Sequence, residues 1–332
     1  MSMENLKDNF GRTINYLRIS VTDRCNLRCM YCMPTGGILH KEPESILSFE
    51  EITRIARVSA SLGIKKIRVT GGEPLVRRDI VSLIRSLREI QELDEIALTT
   101  NAVLLKPYAP LLKEAGLGRI NISLDSLDAQ KFNRITCGGN LDDVLKGIEE
   151  AMVSGFSVIK INAVLMRGIN TDEIIDFAEM TRTSPIQVRF IEYMPTGFTS
   201  QIHRKLYFSV NEAKDILRTL GKLIPAQDNS VTTASVFRVS GFRGTIGFIS
   251  ALSEPFCSSC NKLRLTADGF LRSCLHSSTA INLKQPIRDG ANDEKLAGLI
   301  RRSVALKPAK HNLWEKPLGS DTENFSMCQI GG

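Results

Sequence analysis

Cys25-Asn26-Leu27-Arg28-Cys29-Met30-Tyr31-Cys32 puts three thiols into eight residues near the N-terminus. Thiolates are soft ligands for zinc or iron–sulfur clusters, and a structural zinc site takes four protein ligands while a four-iron cluster has four corners. Three thiolates therefore leave one corner open, where a small molecule can bind iron directly. The C-x3-C-x2-C spacing reads as a reactive cluster site; a zinc site completed by a distant His, or free thiols that happen to be close, are the plainer alternatives. A second triplet, Cys257, Cys260 and Cys274, has the spacing C-x2-C-x13-C and again leaves a corner free. The other two of the eight cysteines, Cys137 and Cys328, stand alone and read as free thiols. Two triplets argue against a secreted disulfide framework and for metal ligation in a reducing compartment.

A binding site needs a counterpart in charge. Lys and Arg total 43 against 36 Asp and Glu, a net +7, which points to an anionic partner: nucleic acid, acidic lipid or a phosphorylated small molecule. The first 20 residues carry Lys7, Asp8, Arg12 and Arg18 and no apolar run, so no signal-peptide pattern is expected. No 18-residue apolar stretch suggests a membrane span. A cytoplasmic location follows, or the mitochondrial matrix for a processed eukaryotic form.

The elements that must hold these residues are legible as alternation. Leu17, Ile19 and Val21 oppose Arg18, Ser20 and Thr22, and five further stretches repeat the pattern around Ile67/Val69, Ile96/Leu98, Ile120/Ile122/Leu124, Ile159/Ile161 and Val188/Phe190. Between them run segments of helical period. Ser48 with Glu51 forms a capping-box pattern, and helices are expected over 79–90, 107–115, 140–154 and 171–180. Strand–helix alternation implies parallel strands joined by right-handed crossovers.

With helices outside, the apolar face of each strand points outward and the polar face inward. A closed eight-stranded barrel fills its interior with branched apolar side chains. These strands instead offer Arg18, Arg68, Thr99, Ser123, Lys160 and Arg189, so the lumen must be wet or occupied. Six units rather than eight suggest an α/β fold of the incomplete (β/α)6 TIM-like barrel kind, open enough to admit a large anion. Residues 195–208 read as a connecting loop, and Ser209 with Glu212 caps a further helix ending near Gly221. After Pro225 the texture changes to short strands and Gly-rich turns, so the chain divides into a barrel over 1–225 and a mainly antiparallel C-terminal domain over 226–332. There an Asp268-Gly269 hairpin would carry Cys274 back toward Cys260, with Lys262 and Arg264 on one face. His276 reads as a surface or packing histidine.

Taken together, the motifs resemble the molybdenum cofactor biosynthesis protein A family, the GTP 3′,8-cyclases of the radical S-adenosylmethionine superfamily. The resemblance runs from Phe10-Gly11-Arg12 to Gly331-Gly332. It is carried by Leu17–Cys25, Ile67–Leu75 with its Gly71-Gly72-Glu73-Pro74, Leu98–Asn101, Asn121–Asp125, Arg189–Pro195 and Phe256–Leu275.

The resemblance implies two [4Fe-4S] clusters, on Cys25, Cys29 and Cys32 and on Cys257, Cys260 and Cys274. The first is the radical-generating one, its open iron holding S-adenosylmethionine, with Tyr31, Gly72, Glu73, Ser123 and Met194 lining that cofactor's site. Glu73 would take the cofactor's ammonium, and the missing side chains of Gly71-Gly72 would let backbone approach the cofactor. The GTP contacts would be Arg18, Arg68, Thr99, Lys160, Lys262 and Arg264, with Arg189 a weaker addition. The radical would remove hydrogen from ribose C3′, and the carbon radical would attack C8 of guanine. GTP is then the substrate, cyclic pyranopterin monophosphate synthase the receiver of the product, and flavodoxin or ferredoxin the electron donor. Neither nucleic acid nor membrane is a partner, and a homodimer is one assembly state open to the chain. The Gly331-Gly332 tail resembles a segment that enters the active site. Departures from the family pattern are Lys262 where many relatives have Arg, Ala102 where Gly is usual, and the extra thiol Cys137. The competing readings are a peptide-modifying radical enzyme with an auxiliary cluster, and a zinc-stabilised nucleic-acid binder using Cys257, Cys260, Cys274 and His276.

Overall fold

Each of the six alternating stretches is a strand: β1 (Tyr16–Ser20), β2 (Lys66–Thr70), β3 (Glu95–Thr100), β4 (Arg119–Ser123), β5 (Val158–Leu165) and β6 (Gln187–Glu192). They pair in sequence order, all parallel. The structure, a computed structural model, describes residues 6–34, 36–195, 203–226, 233–311 and 327–330. The Leu, Ile, Val and Phe face of every strand is buried in one hydrophobic core. That core is shared with α1 (Phe49–Ser61), α2 (Ile80–Arg88), α3 (Leu105–Glu114), α5 (Leu141–Val153) and α6 (Ile174–Thr183), which connect the strands. Ser48 and Glu51 make the reciprocal capping box at the start of α1, as their spacing predicts.

One connecting helix, α4 (Ala129–Thr136), was not foreseen from the sequence, and it matters for the site. The Asp128 side chain accepts from Lys131 N–H at 2.8 Å to start it. Its last carbonyls, those of Ile135 and Thr136, accept from Met30 and Arg28 N–H at 2.9 and 3.0 Å, so the helix end pins the first cysteine segment.

The polar connector includes a short helix, α7 (His203–Leu206), and Ser209 with Glu212 caps α8 (Val210–Leu217) by a second capping box. Beyond it come β7 (Leu223–Pro225), β8 (Ser235–Val239), β9 (Thr245–Ile249), β10 (Lys262–Leu265), β11 (Phe270–Arg272) and β12 (Ala280–Asn282), then α9 (Lys284–Arg288) and α10 (Asp293–Ala305). The neighbouring pairs β7·β8, β8·β9, β10·β11 and β11·β12 are antiparallel. The segment does not stand as a separate layer, however: β9 pairs parallel with β6 and β10 parallel with β1. One open sheet results, in the order β12-β11-β10-β1-β2-β3-β4-β5-β6-β9-β8-β7. The C-terminal residues therefore extend both edges of the N-terminal sheet, which carries the second cysteine triplet to the same hollow as the first. Among the described residues no helix is long and apolar enough to cross a membrane.

Candidate active site

The inward faces of the strands enclose a cavity of about 360 Å³. Every residue singled out above as a site candidate lies on its wall: both cysteine triplets; Tyr31, Gly72, Glu73, Ser123 and Met194; and Arg18, Arg68, Thr99, Lys160, Arg189, Lys262 and Arg264.

The first triplet is held by backbone. The turn after β2 packs on the chain just before Cys25, with Gly72 N–H donating to Thr22 O at 2.7 Å and Glu73 N–H to Arg24 O at 2.8 Å. A Cβ on Gly72 would lie 2.1 Å from the Arg24 carbonyl oxygen, and one on Gly71 2.9 Å from that of Thr22. The close backbone contact with residues 22–24 by itself demands glycine at both positions. Glu73 is 1% exposed and accepts from Leu75 N–H, Thr100 Oγ1 and Asn101 N–H at 3.0, 2.8 and 2.7 Å. Asn101 in turn donates to Asn26 Oδ1 at 2.8 Å and reaches Cys25 Sγ at 3.8 Å. Tyr31 donates to Asp125 Oδ2 at 2.6 Å, while Asp125 Oδ1 accepts from Val164 N–H.

Burial dominates the protonation of this half. It pushes the Glu73 carboxyl up to about 7 and that of Asp125 up to about 6, the protein's hydrogen bonds opposing it in both. Burial, reinforced by Glu73, raises the Cys25 thiol to about 12.

The second triplet sits among cations. Cys257 begins a 3-10 turn, and its carbonyl accepts from Arg12 at 2.6 Å and from Cys260 N–H at 3.2 Å. Lys307 spans the hairpin by donating to the carbonyls of Lys262 and Ser273 at 2.8 and 2.6 Å. A hydrogen bond with His311 lowers the Cys257 thiol. Burial alone would raise Cys260, and the ammonium groups of Lys307 and Lys262 outweigh it to lower that thiol. Burial, with Arg18, Arg68 and Arg264 nearby, pushes Lys262 down to about 7.

On the same cavity wall, Arg264, Arg18 and Arg68 are direct register partners on β10, β1 and β2. Arg272 on β11 continues the register row to four, and three of the four line the cavity; like charges set opposite each other destabilise a sheet, so such a row calls for an anion. Arg189 is partly engaged, donating to Asn121 Oδ1 at 2.7 Å. Tyr16 Oη, Arg68 Nε, Thr99 Oγ1 and Asn162 Oδ1 are buried without a hydrogen-bond partner among the described residues. Such groups are costly to leave unpaired and mark where a polar ligand would bind.

The donor sets fit iron–sulfur clusters. None of the described cysteines is in a disulfide, and both triplets line the cavity. Among the described residues no three His, Cys, Asp or Glu side chains converge closely enough to hold one ion. Thiolates of a cluster bind separate irons and need no such convergence.

Several wall residues escaped the sequence reading as site members. Thr100 and Asn101 lie within the Leu98–Asn101 motif and Asp125 ends the Asn121–Asp125 motif, so the sequence pattern does reach them. Of the two readings of His276, surface or packing, the structure shows packing: it lines the cavity with its ring centroid 5.5 Å from that of His311. His311 and Cys328 carried no local pattern, and the Gly331-Gly332 tail lies outside the described residues.

Known proteins agree with this geometry. Residues 19–181 match the Radical SAM superfamily profile and residues 186–313 the Molybdenum Cofactor Synthesis C profile. The chain is 46% identical to the GTP 3′,8-cyclase of Petrotoga mobilis over 98% of its own length and 99% of the relative's. It is 47% identical to that of Moorella thermoacetica, covering 98% of this chain and all of the other. This chain belongs to the GTP 3′,8-cyclase family. Its fold is also that of SuiB from Streptococcus suis, with a TM-score of 0.57 at 17% identity over 88% of this chain and 69% of that one. As a family member it is a radical S-adenosylmethionine enzyme of the lyase class, using that cofactor and two [4Fe-4S] clusters. The peptide-modifying and zinc-dependent alternatives give way to near full-length identity with cyclases.

Proposed function

We propose that this chain converts GTP to (8S)-3′,8-cyclo-7,8-dihydroguanosine 5′-triphosphate, the first step of molybdenum cofactor biosynthesis, within a single polarised cavity. The observation that carries the reading is that both cysteine triplets line one cavity together with the Arg264-Arg18-Arg68 row.

In this reading Cys25, Cys29 and Cys32 hold one [4Fe-4S] cluster and Cys257, Cys260 and Cys274 the other. When bound, the first cluster with S-adenosylmethionine supplies the radical that takes hydrogen from ribose C3′. The protein's own residues orient and shield. The Glu73 carboxylate holds Leu75, Thr100 and Asn101 in place and has lone-pair capacity left for an ammonium, because a carboxylate offers about four acceptor sites and three are used. Tyr31, Gly72, Ser123 and Met194 complete the cofactor's wall. Arg18, Arg68, Lys160, Lys262 and Arg264 neutralise the triphosphate, Thr99 adds a hydroxyl that has no partner among the described residues, and Arg189 contributes from beside Asn121. Holding C3′ and C8 at van der Waals distance is the main catalytic demand.

Residues 1–225 would then form the partial barrel that carries the radical-generating cluster and most of the GTP contacts, and 226–332 the C-terminal domain that carries the second cluster, Lys262, Arg264 and the Gly331-Gly332 tail. The product would pass to cyclic pyranopterin monophosphate synthase, and a flavodoxin or ferredoxin would deliver the electron. A cytoplasmic setting suits unpaired thiols, and a homodimer is compatible with the reading. Incubating anaerobically reconstituted, reduced protein with S-adenosylmethionine with and without GTP tests the proposal. Formation of 5′-deoxyadenosine that rises with GTP and is matched by the cyclised nucleotide is the expected result, and cleavage indifferent to GTP would refute it.

A further inference from the structure

The chain's last described helix, α11 (Met327–Ile330), lies against the first cysteine triplet. Met327 N–H donates to the Cys32 carbonyl at 3.1 Å, which ties the C-terminal segment to the N-terminal one. The next residue, Cys328, is 1% exposed and lines the same cavity. Its thiol is in hydrogen-bonding contact with that of Cys32. Four thiols thus gather where the local motif supplies three. A buried thiol delivered from the far end of the chain to the one place with an unfilled metal corner is a candidate ligand on chemical grounds, since a [4Fe-4S] cluster accepts four thiolates.

We propose that Cys328 is an exchangeable fourth ligand of the Cys25–Cys29–Cys32 cluster. Without S-adenosylmethionine its thiolate takes the open iron; the cofactor's amino and carboxylate groups displace it. The inference rests on the cluster assignment made above. The thiol gives up its proton on binding iron and regains it on release, and no electron moves. The tail then acts as a latch that closes the reactive corner until the cofactor arrives. A Cys32–Cys328 disulfide, the other product two touching thiols can form, would need an oxidant and would remove a cluster ligand.

The test uses the full-length, anaerobically reconstituted protein. Iron, sulfide and S-adenosylmethionine binding in the wild type check the underlying assignment, and their absence would sink that assignment rather than the latch. The latch itself is read in two ways. Cys328→Ala should bind S-adenosylmethionine about tenfold more tightly, the factor expected if the corner is free in about a tenth of wild-type molecules. In the wild type, alkylation of Cys328 by iodoacetamide, followed by peptide mass spectrometry, should accelerate about tenfold or more on adding S-adenosylmethionine. A thiol that is merely packed would react no faster. Unchanged affinity in the variant together with unchanged alkylation overturns the proposal, as does recovery of a Cys32–Cys328 disulfide from the cluster-loaded protein. The alkylation arm needs no variant, so a misfolded Cys328→Ala would not rescue the idea.

Discussion

The two cysteine triplets carry the same donors and face one cavity, yet their surroundings are opposite in sign. Cys25 and Cys29 have the carboxyls of Glu73 and Asp125 as their charged neighbours. Cys257 and Cys260 have His311, Arg12, Lys307 and Lys262. Burial acts on both, but around the first triplet nearby acids reinforce it, and around the second nearby cations reverse it. The difference matches the ligands. S-adenosylmethionine brings a sulfonium and an ammonium, while GTP brings a polyanionic triphosphate; a cavity acidic at one end and basic at the other sorts the two by charge before any specific contact forms. Identical metal-binding motifs can therefore serve different tasks because of what stands behind them.

The largest test of that division removes one ligand from either end. Cys29→Ala should abolish S-adenosylmethionine cleavage and leave about half the iron, since one four-iron cluster of two remains. Cys260→Ala should also halve the iron yet still permit cofactor cleavage, with no cyclised nucleotide. Iron assay and chromatography of 5′-deoxyadenosine separate the cases. Cleavage surviving in Cys29→Ala would mean the first triplet is not the reactive end.

A smaller loss is expected from the row of arginines. Arg264 is buried with Arg18 and Arg272 as its register partners, and a hydrogen bond to a charged group is worth about 1.5–3 kcal/mol. Arg264→Ala should therefore weaken GTP binding by roughly 10- to 150-fold. Both clusters should assemble and cofactor affinity should hold in that variant. Equilibrium dialysis with labelled nucleotide reads the first, and equal loss for both ligands would contradict a cavity divided by charge.

The pH dependences should run in opposite directions. Glu73 titrates near 7 and attracts a cation only when ionised, so S-adenosylmethionine affinity should rise as pH climbs toward about 7 and then level off. Lys262 also titrates near 7 and attracts a phosphate only when protonated, so GTP affinity should fall as pH rises above about 7. Each slope is at most about tenfold per pH unit for a single group. Lys262→Arg, with a guanidinium that stays protonated, should flatten the GTP profile and leave the cofactor profile alone. Parallel profiles for the two ligands would break the comparison.

The division between the two ends was only half legible in the sequence. Alternation along each strand fixes which side chains share a face, so the inward row of Arg18, Arg68, Lys160 and Arg189 followed from a period of two. Which strands lie side by side is another matter. Nothing in Lys262–Leu265 names β1 as its neighbour, so the use of both sheet edges by the C-terminal segment could not be read locally. Helix α4 was missed because only Phe132 and Ile135 mark its apolar face over eight residues. The roles of His311 and Cys328 depend on contacts with residues 54 and 296 positions away, and no motif spans such distances.

The finest test concerns how rigidly α4 holds the first triplet. Cys137 ends that helix in the left-handed region, at φ 54°, with its N–H donating to Asn133 O. A non-glycine residue there costs about 1–2 kcal/mol, against about 0.5–1 kcal/mol of extra chain entropy that glycine loses on folding. Cys137 is exposed, so no buried contact is given up, and Cys137→Gly should stabilise the protein by roughly 0.5–1 kcal/mol. Ala102, at φ 63°, offers the control. Its methyl is fully buried, and losing about 0.8 kcal/mol of burial cancels most of the relief, so Ala102→Gly should change stability little. Calorimetric melting of both variants checks the pair: a gain at 137 and near neutrality at 102. Equal gains would show that backbone strain alone governs both turns, and that the buried methyl beside Asn101 contributes nothing to holding Cys25.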